Sequence, residues 1–190
     1  ALDGRPEALV AQAAQLFDVD LRALAPESAK PAKVTAQQIE EMVAKLAARM
    51  EQNPDNPEGW VMLARSYKAM GRYEEATRAF DRAGKPVDED PHLLSEYAEA
   101  LALATGGSLR GRPSELLARA LKLDPDFPDA LVLAGTAAYE REDYAAAVVH
   151  WERLLERLPP DSDDARVLSE SIGKARAAAG KKGGRAKPGK

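Results

Sequence analysis

Apolar residues recur every three or four positions from Thr35 to Lys174, and no window alternates strictly between apolar and polar. The first period is a helical one and the second would mark strands, so the chain reads as helical almost throughout. Ile39, Met42, Val43, Leu46 and Met50 form one stripe at i, i+3, i+4 and i+7 spacing. Thr35 precedes that stripe as a helix cap, with Gln38 three residues on to complete a capping box. "QNPDNP" ends the helix, because proline disfavours helical backbone in the residue before it. The stretch Glu58–Ala83 then spaces Trp60, Leu63, Ala64 and Tyr67, followed by Gly71, Tyr73, Ala76, Phe80 and Ala83. It predicts two antiparallel helices joined at Gly71.

The sizes of those residues say more than their polarity. Small residues (Ala64, Ala76, Ala83) suit places where two backbones approach, and Trp60, Tyr67 and Phe80 suit the volume between them. The order matches the tetratricopeptide pattern W-x2-L-G-x2-Y then A-x3-F, with Ala64 in place of the first small residue. Recurrence supports it. Pro91, Pro125 and Pro159 are spaced by 34 residues, the period of that repeat. A third unit aligns with the first, Gly135 on Ala64, Tyr144 on Tyr73, Ala147 on Ala76 and Trp151 on Phe80. The unit between is degenerate: Leu94, Tyr97, Ala98 and Leu101 make its first helix, Leu116, Leu117, Ala120 and Leu121 its second. "TGGSLRGRP" (Thr105–Pro113) is a long loop between them, and extra residues lie near Lys85–Asp88.

The predicted fold class is therefore all-α, a tetratricopeptide-repeat α-solenoid of stacked helix hairpins with a C-terminal capping helix. The expected organisation is an N-terminal segment and linker over 1–33, a repeat domain over 34–179 and a disordered basic tail over 180–190. Within the domain a half unit spans 35–52, repeats span about 57–90, 91–124 and 128–159, and the capping helix spans 163–179. Ser162 suits the cap of that last helix, and Asp163 and Asp164 its positive end. Ala165, Leu168, Ile172, Ala175 and Ala179 mark its apolar side, which a terminal repeat needs to cover its exposed core. Upstream, Arg5–Phe17 predicts a short helix, and the Ala/Pro/Lys-rich Ala23–Lys33 an extended linker.

Charge is unevenly spread. The formal net charge is −4, yet all seven charged residues from Lys174 onward are basic, so residues 1–173 hold 20 basic against 31 acidic residues. An acidic body of this kind argues against nucleic acid as a partner. The chain has no cysteine, which excludes disulfides, thiolate metal sites and cysteine nucleophiles. Its longest strongly apolar run, Ala145–Val149, is far short of the roughly 20 residues a spanning helix needs.

Little else carries chemistry. The two histidines, His92 and His150, have no ligand partner at metal spacing, and Ser66, Ser108 and Ser162 have no triad context. "TGGSLRGRP" follows a helix and lacks the Gly-Lys-Ser/Thr ending of a phosphate loop, so it reads as a connection. Glu74–Glu75 and Asp163–Asp164 read as solvated helix faces or first-turn charges, and the basic tail as a solubilising segment. No catalytic residue, metal ligand or cofactor is assigned, and the expectation is a protein that is not an enzyme.

Several stretches resemble the periplasmic domain of the c-type cytochrome maturation family called CcmI or CycH. They are "VTAQQIEEMVAKLAARMEQNPDNPEGWVMLARSYKAMGRYEEA" (Val34–Ala76), "YAEALALATGGSLRGRPSELLARALKLDP" (Tyr97–Pro125), "ALVLAGTAAYEREDYAAAVVHWERLL" (Ala130–Leu155) and "LPPDS" (Leu158–Ser162). The resemblance spans about Val34–Arg176. It implies a chaperone-like module that holds apocytochrome c, in part through the cytochrome's C-terminal helical segment, for the components of the haem ligation complex. It also implies a periplasmic location, with membrane tethering only through a segment absent from this chain. Stacked hairpins expose a groove lined by their first helices, where a peptide helix can dock. Repeat register assigns that groove to Val61, Arg65 and Lys68, then Ser95, Glu99 and Ala102, then Val132, Thr136 and Tyr139. The competing expectation is a generic tetratricopeptide scaffold that binds a short peptide in another cell-envelope assembly.

Overall fold

The computed structural model describes residues 35–185, with side chains as far as Lys181. The expected helix at Arg5–Phe17, the linker at Ala23–Lys33 and the last five residues lie outside the described residues. Within them every regular element is a helix: α1 (Ala36–Gln52), α2 (Pro57–Ala69), α3 (Tyr73–Ala83), α4 (Lys85–Glu89), α5 (Pro91–Ala104), α6 (Arg112–Leu123), α7 (Pro128–Glu140), α8 (Tyr144–Leu155) and α9 (Asp163–Arg185). The fold class is all-α, of the tetratricopeptide-repeat kind.

The chain divides into two compact units at Gly84 and Lys85. In the first, α2 and α3 form a hairpin and α1 packs against α2. Thr35 and Gln38 make both halves of a capping box at the start of α1. Asn56 caps α2 through Gly59 N–H, with Pro57 at the first helical position. Val43, Leu46 and Met50 of α1 are buried, as are Trp60, Leu63 and Ala64 of α2 and Ala76, Phe80 and Ala83 of α3. Trp60 fills the hairpin and its indole N–H donates to Pro54 O at 2.9 Å, so the one polar atom of a buried ring is satisfied. The Arg82 guanidinium lies 4.7 Å from the centre of the same ring and pairs with Glu51.

The second unit pairs α5 with α6 and α7 with α8, lays α7 against both α5 and α6, and closes with α9 on α8. In the third unit, the residues aligned with Ala64 and Phe80, Gly135 and Trp151, meet in space. Trp151 packs over Gly135, where a side chain would collide with the indole, so this crossing needs glycine. The Trp151 indole N–H donates to Val132 O at 3.3 Å. Leu131, Ala138, Ala147, Trp151 and Leu154 join Leu168, Ile172 and Ala175 of α9 in one apolar cluster. Ser162 caps α9 through Ala165 N–H.

Three features depart from the sequence reading. The extra residues after Gly84 form the short helix α4, which buries Val87 and ties Asp88 to Arg119 at 2.6 Å. The long loop is built rather than slack. Leu109 is buried, and its N–H donates to Glu140 Oε2 at 3.0 Å. Ser108 also donates to Glu140, Arg110 donates to Glu140 O, and Ser114 donates to Leu109 O, so the loop is fastened to the end of α7. Lastly, α9 runs on to Arg185 through part of the segment expected to be disordered. Adding a residue to a formed helix gains a hydrogen bond without a new nucleation cost, which tolerates Gly180 and its neighbours there.

Candidate functional site

A peptide-binding array needs exposed positions on first helices, and each unit offers some. On α2, Val61, Arg65 and Lys68 are half-buried and lie on one side of the helix. Arg65 and Lys68 both take part in further polar contacts.

The larger face belongs to the second unit, where α5 and α7 run side by side. Along α7, Asp129, Val132, Thr136 and Tyr139 recur at three- and four-residue spacing and share one face. Val132 is 39% exposed and Tyr139 38%. Tyr139 is not a free-standing anchor, however. Its ring meets Tyr144 edge-on at 5.1 Å and Trp151 at 5.9 Å, so it also packs the α7–α8 hairpin. The sequence reading missed this because it counted outward positions and not the reach of a large ring.

Helix α5 requires a correction. Ser95 is 3% exposed and Ala102 is buried too, so neither presents a surface to a ligand. The reason is that α5 is covered by α6 on one side and α7 on another, and small residues sit where helices approach. Ser95 satisfies its hydroxyl by donating to Pro91 O at 2.7 Å. The more open stripe is rotated by part of a turn, to His92 and Leu103 with half-buried Glu96 and Glu99 between them, both of which take part in further polar contacts. Of the three positions expected on this helix only Glu99 lies on it. Leu103, 42% exposed, was legible as an apolar residue four beyond Glu99. His92 Nδ1 lies 3.7 Å from Glu96, and its ring meets Phe127 edge-on at 6.0 Å.

The α5–α7 face thus combines three open apolar groups, Leu103, Val132 and Tyr139, with the carboxylates of Glu96, Glu99 and Asp129. It can bind an apolar helical stripe and favours cations at the edges. Among the described residues, no group of three or more His, Asp or Glu side chains stands close enough to hold a metal ion, and no helix is long and apolar enough to cross a membrane.

Comparison with known proteins places this architecture. Residues 10–165 match the model of the cytochrome c-type biogenesis protein H TPR domain. The chain belongs to this family. The match starts at residue 10, inside the segment that the resemblance had left out, and ends near the start of α9. A CycH cytochrome c-type biogenesis protein of Pseudomonas aeruginosa is 36% identical over 138 residues, which is 73% of this chain and 34% of that protein. CcmH of Escherichia coli is 28% identical over 165 residues, 87% of this chain and 45% of that protein. NrfG, a subunit of the formate-dependent nitrite reductase complex of Escherichia coli O157:H7, is 24% identical and is covered over 70% of its length. The chain therefore spans about a third to under a half of the two longer relatives. Among solved structures, MamA superposes with a TM-score of 0.65 at 16% identity, covering 76% of this chain and 75% of that one, which supports the fold alone. The family and the relatives from Pseudomonas aeruginosa and Escherichia coli are named for cytochrome c-type biogenesis.

Proposed function

We propose that the domain holds apocytochrome c by its C-terminal helical segment and presents it to the haem ligation complex, acting by binding and not by catalysis. Family membership supports the pathway. The observation that carries the binding mode is the α5–α7 face, where Leu103, Val132 and Tyr139 stand open beside Glu96, Glu99 and Asp129. An amphipathic client helix lays its apolar side on the first group, and lysines or arginines along its flanks meet the second. Val61, Arg65 and Lys68 of α2, in the first unit, are proposed as a peptide-contacting face of their own. The domain works in the periplasm, tethered by a membrane segment outside this chain.

A generic peptide-binding scaffold is the second reading, and the similarity to a nitrite reductase complex subunit is what favours it. The two part in a pull-down. Immobilised domain is offered a bacterial envelope extract with and without haem-attachment mutants of its cytochromes. Enrichment of haem-free cytochrome c and of ligation components supports the holding role. Enrichment of a different assembly with no cytochrome component overturns it.

A further inference from the structure

The second unit carries another cavity, on a different side of α7. Ala134, Ala137 and Arg141 of this helix stretch line it, and they lie more than a quarter of a turn from Val132, Thr136 and Tyr139. Ala118 and Leu121 of α6 complete an apolar floor, and His150 of α8 stands at the wall. The volume is about 380 Å³, the lower part of the range of ligand pockets. Exposed Lys122 and Arg141 form its rim, and Ala118 at the edge of the floor is exposed too, so it is open along one side.

Its charge runs against the rest of the molecule. Residues 1–173 are strongly acidic, yet Lys122 and Arg141 reach this pocket together. Among the described residues neither has a carboxylate within ion-pair distance, and the one side-chain bond of Arg141 is to the Ser114 hydroxyl at 3.1 Å. The nearby Arg153, by contrast, is neutralised by Asp126 at 2.6 Å. Burial holds His150 below its usual pKa, Arg141 and Arg153 push it the same way, and Asp143 opposes them. A cationic rim over an apolar floor, with no ion-pair partner among the described residues, is complementary to an anion carrying an aliphatic group.

We propose that this pocket is a second docking site, which takes an acidic peptide segment of a partner protein. One aliphatic side chain fills the floor, and flanking carboxylates pair with Lys122 and Arg141. A volume of one or two side chains, open along one edge, suits a segment of chain laid across α6 and α8. The site is separate from the α5–α7 face and lets one domain hold two partners of opposite charge.

The test is fluorescence anisotropy with a labelled peptide, Gly-Asp-Leu-Glu-Leu-Asp-Gly, and its counterpart in which Asn and Gln replace the acids. The acidic peptide is expected to bind at least about tenfold more tightly than the amide peptide at low salt. Lys122→Glu with Arg141→Gln is expected to remove about tenfold or more, and Ala118→Phe, which plugs an exposed rim position, to do the same. Leu103→Lys with Val132→Lys on the other face leaves this binding unchanged. Bound peptide moves the ring proton resonances of His150, which stands at the wall of the pocket. Equal binding of the two peptides, wild-type binding by both pocket variants, an unmoved His150, or loss of binding through Leu103→Lys with Val132→Lys would each overturn the proposal. None of those results bears on whether the α5–α7 face holds a cytochrome helix.

Discussion

Two residues 71 positions apart show how one backbone demand is met in different ways. Gly71, at the turn of the first hairpin, has φ +72°, and Glu142, at the turn of the third, has φ +61°. Only glycine enters that left-handed region without a penalty, which for other residues is about 1–2 kcal/mol. Gly71→Ala should therefore cost about 1 kcal/mol, and Glu142→Gly should gain a comparable amount against a looser unfolded chain. Paired urea melts read both, and equal signs for the two changes would contradict the account. Trp60→Ala should cost roughly 3–5 kcal/mol, since it empties the hairpin and strands Pro54 O and Arg82. A melting midpoint within error of the parent would show that Trp60 is not the centre of that core. His150 gives a pH signature. Its folded pKa lies below the usual histidine value of 6.5, so the unfolded chain binds the proton more readily. Its contribution is complete above the unfolded pKa and is lost as pH falls through the folded one. His150→Gln should flatten the decline in stability just below pH 6.5, and an unchanged slope would contradict the burial. The small-and-large code of Trp60, Ala64, Ala76, Phe80, Gly135 and Trp151 was readable in the sequence because it reports packing volume directly. Ser95 and Tyr139 were not, because a repeat register says which way a residue leaves its helix but not what a neighbouring helix covers.

At the scale of elements, the helices and their pairing into hairpins were legible and the long-range polar ties were not. Period, caps and prolines marked α1, α2, α3, α5, α6, α7 and α8, since each signal acts within one turn of the chain. The fastening of the long loop to Glu140 could not be seen, because that contact spans more than thirty residues and turns on a single carboxylate. Helix α9 shows the consequence of a terminal face. Leu168, Ile172 and Ala175 cover Trp151 and Leu154. Ile172→Ala should cost about 2–5 kcal/mol, whereas Val167→Ser, on the exposed side, should change stability by less than about 0.5 kcal/mol. Removing α9 altogether should lower the melting midpoint and promote association through the bared cluster. Thermal melts and light scattering check both. A truncated chain that stays monomeric and equally stable would show that α9 does not cap the array.

On the scale of the whole molecule, the chain is an acidic repeat protein with open apolar groups on the first helices α5 and α7 of its second unit, and others on α6, α8 and α9, and with a local cationic pocket on another side of α7. Family membership supplies the biology of c-type cytochrome maturation, and the α5–α7 face supplies a physical means of holding a client. Neither composition nor periodicity revealed that face in full, because its stripe on α5 depends on how closely the neighbouring helices cover Ser95 and Ala102. The measurement that tests the central claim most directly is calorimetric titration of the domain with a peptide from the C-terminal helix of an apocytochrome c. A scrambled peptide of the same composition serves as the control. Leu103→Lys with Val132→Lys puts charge on the open apolar stripe and leaves the Tyr139–Trp151 packing in place. The account predicts saturable binding of the native peptide over the scrambled one, and about thirtyfold weaker binding by the double variant with an unchanged melt. Equal affinity for native and scrambled peptides, or for parent and variant, would contradict it.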